Sequence, residues 1–194
     1  APALLLAGAT GTQAIETTAK QAYMIDAATG TVLLDKDGTK PVPPSSMSKM
    51  MTIFTVFDRI KSGRLSVQDE FLVSEKAWRM GGSKMFVEVG KKISVGDLLR
   101  GVIVQSGNDA TVVLAEGVAG SEGAFADLLN AEAKRIGLKD SHFVNASGWP
   151  AEGHVMSARD LATLSLRTIR DFPELYKIYA EKVFRWHGIR QFNR

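Results

Sequence analysis

A serine and a lysine three residues apart form the first pair in this chain whose types and spacing could do nucleophilic chemistry. They are Ser46 and Lys49, within PPSSMSKMMTIF over residues 43–54. On a helix, side chains at this spacing share one face. A lysine desolvated by methionine and isoleucine neighbours loses part of its preference for the charged form, so it can accept a serine proton. The alternative is a lysine whose stem lies on apolar surface while its ammonium reaches water.

Ser46 would also lie at the beginning of the predicted helix. Unpaired N–H groups and the helix dipole favour a developing negative charge there, and the N–H of Ser46 could be one donor of an oxyanion hole. A Ser-x-x-Lys spacing also occurs by chance in chains of this length. The pair therefore needs support from elsewhere in the sequence.

A second polar motif lies between two apolar helical runs, in IVQSGNDA over residues 103–110. At such a break, side chains can project into a cleft. The Ser106 hydroxyl could relay a proton to a leaving amine, and the Asn108 amide could hold a substrate carbonyl or amide. The alternative is an ordinary turn between helices that happens to be rich in serine, glycine and asparagine.

Other catalytic chemistries have less support. The three histidines, His142, His154 and His187, have no partner at metal-ligand spacing, and the absence of cysteine removes disulfides, thiolate zinc sites and cysteine nucleophiles. A Ser-His-Asp triad stays open on the residues alone, although no glycine-flanked nucleophile elbow supports it.

The elements that position Ser46 and Lys49 follow from turn residues and hydrophobic spacing. Two β-rich runs, 22–25 and 31–34, flank a turn and predict a hairpin. The prolines at 41, 43 and 44 prevent a helix until Ser45 or Ser46, either of which could cap the next one. Apolar residues at helical spacing then predict a buried helix that ends near Gly63.

The middle of the chain is predicted to be helical. Capping boxes begin at Ser94 and Ser157, while Asp109 and Ser121 could cap two further helices. The stretch 141–154 is rich in turn formers and predicts a loop. Residues 183–194 have a weak strand pattern, so the order is strands followed by a mostly helical body.

Length and charge restrict the class of protein. The 194 residues fit one domain with a real core, and the net charge of +3 comes with scattered basic residues, which argues against nucleic-acid binding. The apolar run PALLLAGA and the small-residue stretch 12–14 indicate either the remnant of an export signal or a plain N-terminal segment. No run is long enough for a transmembrane helix.

Together, the two motifs resemble the active-site signature of penicillin-binding proteins and serine β-lactamases. The resemblance extends from about residue 20 onward and is most specific to the low-molecular-weight D-alanyl-D-alanine carboxypeptidases. The stretches that support it include YMIDAATGTVLLDKD, PPSSMSKMMT, GGSKMFVEVGKKISVGDLLRGVIVQSGNDA, LNAEAKRIGLKDSHFVNASGW, SARDLATL and FRWHGIRQFNR.

The resemblance implies a role for each site residue. Ser46 would be the acylated nucleophile, Lys49 the base that activates it, and Ser106 the proton relay. Asn108 would help to hold Lys49 and the substrate. The implied reaction removes the terminal D-alanine from peptidoglycan stem peptides through an acyl-enzyme. β-Lactam antibiotics would mimic that terminus and leave a slowly hydrolysed acyl-serine. The resemblance implies no metal and no organic cofactor.

The resemblance also implies a fold and a location. The fold would be α+β, with an antiparallel sheet flanked by helices and a helical lobe that faces the cleft. Residues 20–194 would form the D,D-peptidase catalytic domain, and residues 1–19 the signal remnant or N-terminal segment. The protein would act in the periplasm or on the outer face of the bacterial cytoplasmic membrane.

One departure from the family pattern is large. The third motif, Lys-Thr/Ser-Gly on a sheet strand, is absent because the chain ends at Arg194. We therefore expect these residues to be an incomplete domain that lacks the last strands and the second oxyanion donor. Any membrane association would come from a C-terminal segment absent from this chain.

Two alternatives remain. A class A β-lactamase would share Ser46 and Lys49, but it normally has Ser-Asp-Asn where this chain has Ser106-Gly107-Asn108. It also needs a glutamate in an E-x-x-L-N-like loop, and the 141–154 loop offers only Glu152, in a different context. The second alternative is a peptidoglycan-binding protein that keeps the fold but not the chemistry.

Overall fold

The computed structural model describes residues 15–193, so the apolar segment at 1–14 lies outside the described residues. This part of the chain forms seven α-helices and six β-strands. In order they are β1 Ala22–Ile25, β2 Val32–Lys36, α1 Lys49–Lys61, β3 Glu70–Leu72, α2 Glu75–Arg79, β4 Lys92–Ser94, α3 Val95–Gln105, α4 Asn108–Ala119, α5 Glu122–Ile136, α6 Ala158–Asp171, α7 Pro173–Tyr176, β5 Val183–Trp186 and β6 Ile189–Phe192.

The strands pair as three antiparallel ladders of two strands each, within the part of the chain that the structure describes. These are β1 with β2, β3 with β4, and β5 with β6. The predicted N-terminal hairpin and the return to strand after residue 183 are confirmed. The single larger sheet that we expected is here divided into these separate pairs.

The prolines before α1 act as the sequence predicts, but the capping prediction is wrong. A 3₁₀ turn over Ser45–Ser48 leads into α1, and neither Ser45 nor Ser46 caps either segment with its side chain. The reason is that the turn already begins at Pro44, whose carbonyl accepts the N–H of Met47 at 3.2 Å. Ser46 is thus inside the turn, with its hydroxyl free for other contacts.

Helix α1 is the central element of the core, as its apolar spacing predicts. Phe54 and Phe57 on α1 are completely buried, and both rings pack edge-on against Phe172. Burial of such aromatic side chains stabilises each by about 1.5–3 kcal/mol. The first residue of the same helix is Lys49, so the packing of α1 also fixes the position of that lysine.

Three of the other caps are confirmed and one is wrong. The hydroxyls of Ser94, Ser121 and Ser157 each accept the N–H three residues later. Helix α4, however, begins at Asn108 after Gly107, so Asp109 lies within its first turn rather than before it.

None of the helices within residues 15–193 has both the length and the apolar character needed to cross a bilayer.

Candidate active site

The structure brings Ser46 and Lys49 into direct contact. Nζ of Lys49 lies 2.8 Å from Oγ of Ser46, and the short 3₁₀ turn before α1 sets this approach. The two environments differ, because Ser46 is exposed whereas Lys49 is only 4% exposed. An exposed hydroxyl in contact with a buried amine is an arrangement in which the amine can activate a serine as nucleophile.

The buried amine has a second partner in the loop that precedes α6. Nζ of Lys49 donates to the carbonyl oxygen of Ser147 at 2.7 Å. One helical turn further along α1, the hydroxyl of Thr52 donates to the carbonyl of Ala146 at 2.7 Å. Two consecutive carbonyls of this loop therefore lie on one face of α1, and one of them orients the lysine.

Burial changes the chemistry of Lys49. Desolvation lowers the pKa of its ammonium from 10.5 to about 8. No carboxylate within residues 15–193 forms an ion pair with it. The lowered pKa favours a larger neutral fraction of the amine near neutral pH. Its ammonium does not reach water as a snorkelling lysine would, because Lys49 is 4% exposed and its Nζ contacts Ser46 and Ser147.

A cavity of about 160 Å³ opens over the pair and also contains Ser106. Ser106 ends α3 in the left-handed conformation, with φ of 59° and ψ of 35°, and this bend turns it into the cavity. Tyr179, which follows α7, lines the same space, and burial raises the pKa of its phenol. The structure thus brings together Ser46, Lys49 and Ser106.

Asn108 contacts a neighbouring loop instead of the lysine. Its side-chain Nδ2 donates to the carbonyl of Gly81 at 2.8 Å, and its backbone N–H donates to the carbonyl of Ser83 at 2.8 Å. The hydrogen bonds of Lys49 go to Ser46 and Ser147. Asn108 therefore supports the 81–83 backbone, and the part of its expected role that concerns the substrate stays a prediction.

Asp109 is a positioning group that the sequence did not indicate correctly. Its carboxylate is completely buried and accepts three consecutive N–H groups, those of Met85, Phe86 and Val87, at 2.8 to 3.1 Å. The fourth N–H is that of Ala110 at 2.9 Å. Phe86 has φ of 71°, so this strained segment depends on the carboxylate for its shape.

We expect Asp109→Asn to destabilise the protein by on the order of 3 kcal/mol, since an amide cannot accept from N–H groups on both of its ends and leaves buried donors unpaired. Chemical denaturation measures the loss. Asp127→Asn on α5 is a control, because that exposed carboxylate makes no comparable set of bonds within the described residues. Equal stability of the wild type and Asp109→Asn would contradict this role.

Two further residues of the site, Ser147 and Tyr179, could hardly be recognised from the sequence. Ser147 acts through its backbone carbonyl, which no residue pattern reveals. Tyr179 lies outside both motifs and lines the cavity from the short 3₁₀ turn 177–180 that follows α7. Within residues 15–193, no group of three histidine, aspartate or glutamate side chains is arranged to hold a metal ion.

Comparisons with known proteins identify the family of this chain. Residues 8–194 match the peptidase family S11, D-alanyl-D-alanine carboxypeptidase. DacA, a D-alanyl-D-alanine carboxypeptidase of Escherichia coli (strain K12), is 38% identical over 182 residues, which are 91% of this chain and 45% of that protein. The chain thus spans about half the length of the curated relatives it matches.

Solved structures are similar in fold as well. The D-alanyl-D-alanine carboxypeptidase DacD from Francisella tularensis is 40% identical with a TM-score of 0.88, over 93% of this chain and 44% of that one. Penicillin binding protein 5 from Haemophilus influenzae is 38% identical with a TM-score of 0.90, over 94% of this chain and 54% of that chain. The predicted penicillin-binding-protein fold is confirmed, and the chain belongs to the D-alanyl-D-alanine carboxypeptidase family of serine peptidases, S11.

Proposed function

We propose that this chain contributes the nucleophile and the base of a serine-type D-alanyl-D-alanine carboxypeptidase. Its substrate would be a peptidoglycan stem peptide that ends in D-Ala-D-Ala. The observation that supports this most directly is the 2.8 Å contact between Nζ of Lys49 and Oγ of Ser46, with the lysine buried. The names of the relatives indicate the substrate class.

The first half of the reaction acylates Ser46. Neutral Lys49 takes the hydroxyl proton while Oγ of Ser46 attacks the carbonyl carbon between the two D-alanines. The Ser147 carbonyl accepts an N–H of the lysine and stabilises the ammonium that forms. The backbone N–H of Ser46 lies before the first hydrogen bond of the 3₁₀ turn and has no acceptor within residues 15–193, so it can donate to the developing oxyanion.

The collapse of the tetrahedral intermediate breaks the C–N bond and releases D-alanine. Its amine must receive a proton, and Ser106 is placed in the same cavity to relay one from Lys49. Asn108 would bind a substrate amide on the side of the 81–83 backbone. Water then attacks the acyl-serine, with Lys49 again the base, and this step restores the free hydroxyl.

Peptidoglycan lies outside the cytoplasmic membrane, so we propose that the protein acts there. β-Lactam antibiotics would acylate the same hydroxyl, because their strained amide presents a carbonyl to Ser46 in the same way. The acyl-serine would persist, since no loop residue within the described chain matches the deacylating glutamate of a class A β-lactamase.

Two measurements test this proposal, on the wild-type protein produced together with any residues that follow Arg194, so that a missing strand cannot account for a negative result. Intact mass after incubation with a penicillin shows whether an acyl adduct forms and how long it persists. An assay for free D-alanine, with a peptide that ends in D-Ala-D-Ala, shows turnover. A persistent adduct with D-alanine release is the expected result. Rapid loss of the adduct with penicillin hydrolysis would instead indicate a β-lactamase, and neither reaction would indicate a peptidoglycan-binding protein without catalysis.

A further inference from the structure

The loop that presents the Ser147 carbonyl to Lys49 is organised by one side chain. Oδ1 of Asn145 accepts the N–H groups of Ser147, Gly148 and Trp149 at 3.1, 2.8 and 3.1 Å. Its Nδ2 donates to the carbonyl of Trp149 at 2.8 Å. A single amide therefore closes a tight turn over residues 145–149, hereafter the lysine loop.

The lysine loop is also pressed against the segment that contains the nucleophile. Gly148 has φ of 79°, and a Cβ added there would lie 1.9 Å from the carbonyl oxygen of Ser45. On the other side, the hydroxyl of Thr52 holds the carbonyl of Ala146. The turn thus fits between Ser45 and α1 with little free space, and its shape determines where the Ser147 carbonyl lies.

We propose that Asn145 is a positioning residue that shapes the lysine loop, so that the Ser147 carbonyl stays on Nζ of Lys49 and the loop keeps water from that amine. Within residues 15–193, Asn145 itself makes no hydrogen bond with Lys49 or Ser46. The consequence for catalysis rests on the proposed function, whereas the effect on Lys49 can be measured without it.

The expected change in the pKa of Lys49 follows from what surrounds its amine. Burial is the cause of the lowered pKa of Lys49, so water admitted by a loosened loop raises that pKa towards its ordinary value. Such water also replaces the Ser147 carbonyl as acceptor. Among the other residues that line the cavity, Tyr179 is the one titratable side chain, and burial keeps its phenol neutral. The lysine loop itself contains no ionisable side chain.

A matched control holds the backbone of Phe143, two residues before the loop. Asn130 on α5 makes the same type of clamp, since its Nδ2 donates to the carbonyl of Phe143 at 2.7 Å and its Oδ1 accepts the N–H of Phe143 at 2.9 Å. Its contacts end at Phe143. We therefore expect both Asn130→Ala and Asn145→Ala to loosen this part of the chain. Only Asn145→Ala should change the pKa of Lys49.

The primary measurement is the titration of Lys49 in the full chain with ¹³Cε-labelled lysine and NMR. We expect a midpoint near 8 in the wild type and in Asn130→Ala, and a midpoint at least about one unit higher in Asn145→Ala. Asn145→Ser keeps a shorter acceptor for the turn and should lie between them. A folded Asn145 variant with the wild-type midpoint overturns the proposal. Failure of both variants to fold overturns it as well, because Asn145 would then be needed for folding rather than for positioning.

The second measurement links the position of the amine to chemistry. The pH dependence of acylation by a fluorescent penicillin should shift upward in Asn145→Ala by the same amount as the Lys49 midpoint, with about a tenfold lower rate at pH 7 for each unit. Asn130→Ala should keep the wild-type profile. If the wild type is not acylated, the proposed function fails and the NMR titration still decides the inference. If the midpoint moves but the acylation profile does not, Asn145 has no part in catalysis and this half of the inference is wrong.

Discussion

Ser46→Ala should abolish the covalent adduct with penicillins and the release of D-alanine, while the fold stays intact. The hydroxyl of Ser46 is exposed at the rim of the cavity and lies 2.8 Å from the buried amine. Removal of one exposed oxygen leaves α1 and its core contacts unchanged, so thermal unfolding should move little. Intact mass after incubation with a penicillin, together with circular dichroism, makes both measurements.

The neighbouring serine provides the matched control. Ser45 has φ of 50°, a region where glycine has no steric cost, so Ser45→Gly removes the adjacent hydroxyl without strain. This variant should acylate at a rate close to that of the wild type. An adduct that persists in Ser46→Ala, or that disappears in Ser45→Gly alone, would assign the nucleophile elsewhere.

The sequence predicted the elements of the site better than the contacts between them. The helical spacing of the apolar residues located α1, and the prolines located the turn before it, because both signals are local. The contact between Ser46 and Lys49 follows directly, since three residues on one turn determine it. The serine hydroxyls at 94, 121 and 157 were recognised as caps for the same reason.

The groups that orient the lysine and shape the 85–87 segment were not predicted, because they act through backbone atoms or distant pairings. The Ser147 carbonyl lies 98 positions along the chain from Lys49, and every residue type has a carbonyl. Asp109 was expected to cap its own helix, yet its carboxylate turns to N–H groups more than twenty residues earlier. Tertiary packing decides between such partners, and hydrophobic periodicity contains no information about it.

Lys49→Met should give a protein that is stable but almost inactive. Methionine retains the length and the apolar stem of lysine without a base, and the loss of a general base reduces the acylation rate by ~100- to 10,000-fold. Lys49→Arg is the matched variant, because arginine keeps the positive charge and the donors but does not lose its proton. If Lys49 acts as a base, both variants are inactive. Full acylation by Lys49→Arg would mean that the lysine is needed only as a cation.

The free energy of unfolding of Lys49→Met, compared with that of the wild type, should also report on the pKa of Lys49. The pKa of Lys49 falls from 10.5 to about 8 on folding, so the folded protein binds this proton more weakly than the unfolded chain does. The resulting cost is fully present below about pH 8, on the order of 3 kcal/mol, and it is relieved as the pH rises from about 8 to 10.5. Methionine removes that cost but leaves the Ser147 carbonyl without its donor, which costs about 1–3 kcal/mol.

We therefore expect Lys49→Met to be as stable as the wild type at pH 7, or up to about 2 kcal/mol more stable. The stability of the wild type relative to this variant should increase between pH 8 and 10.5, because over this range the unfolded chain still binds the lysine proton that the folded protein has lost. Urea denaturation of both proteins across this range measures the difference. If that difference is constant with pH, Lys49 titrates alike in the folded and unfolded chain. The amine would then not be desolvated, and it could not serve as the base that activates Ser46 near neutral pH.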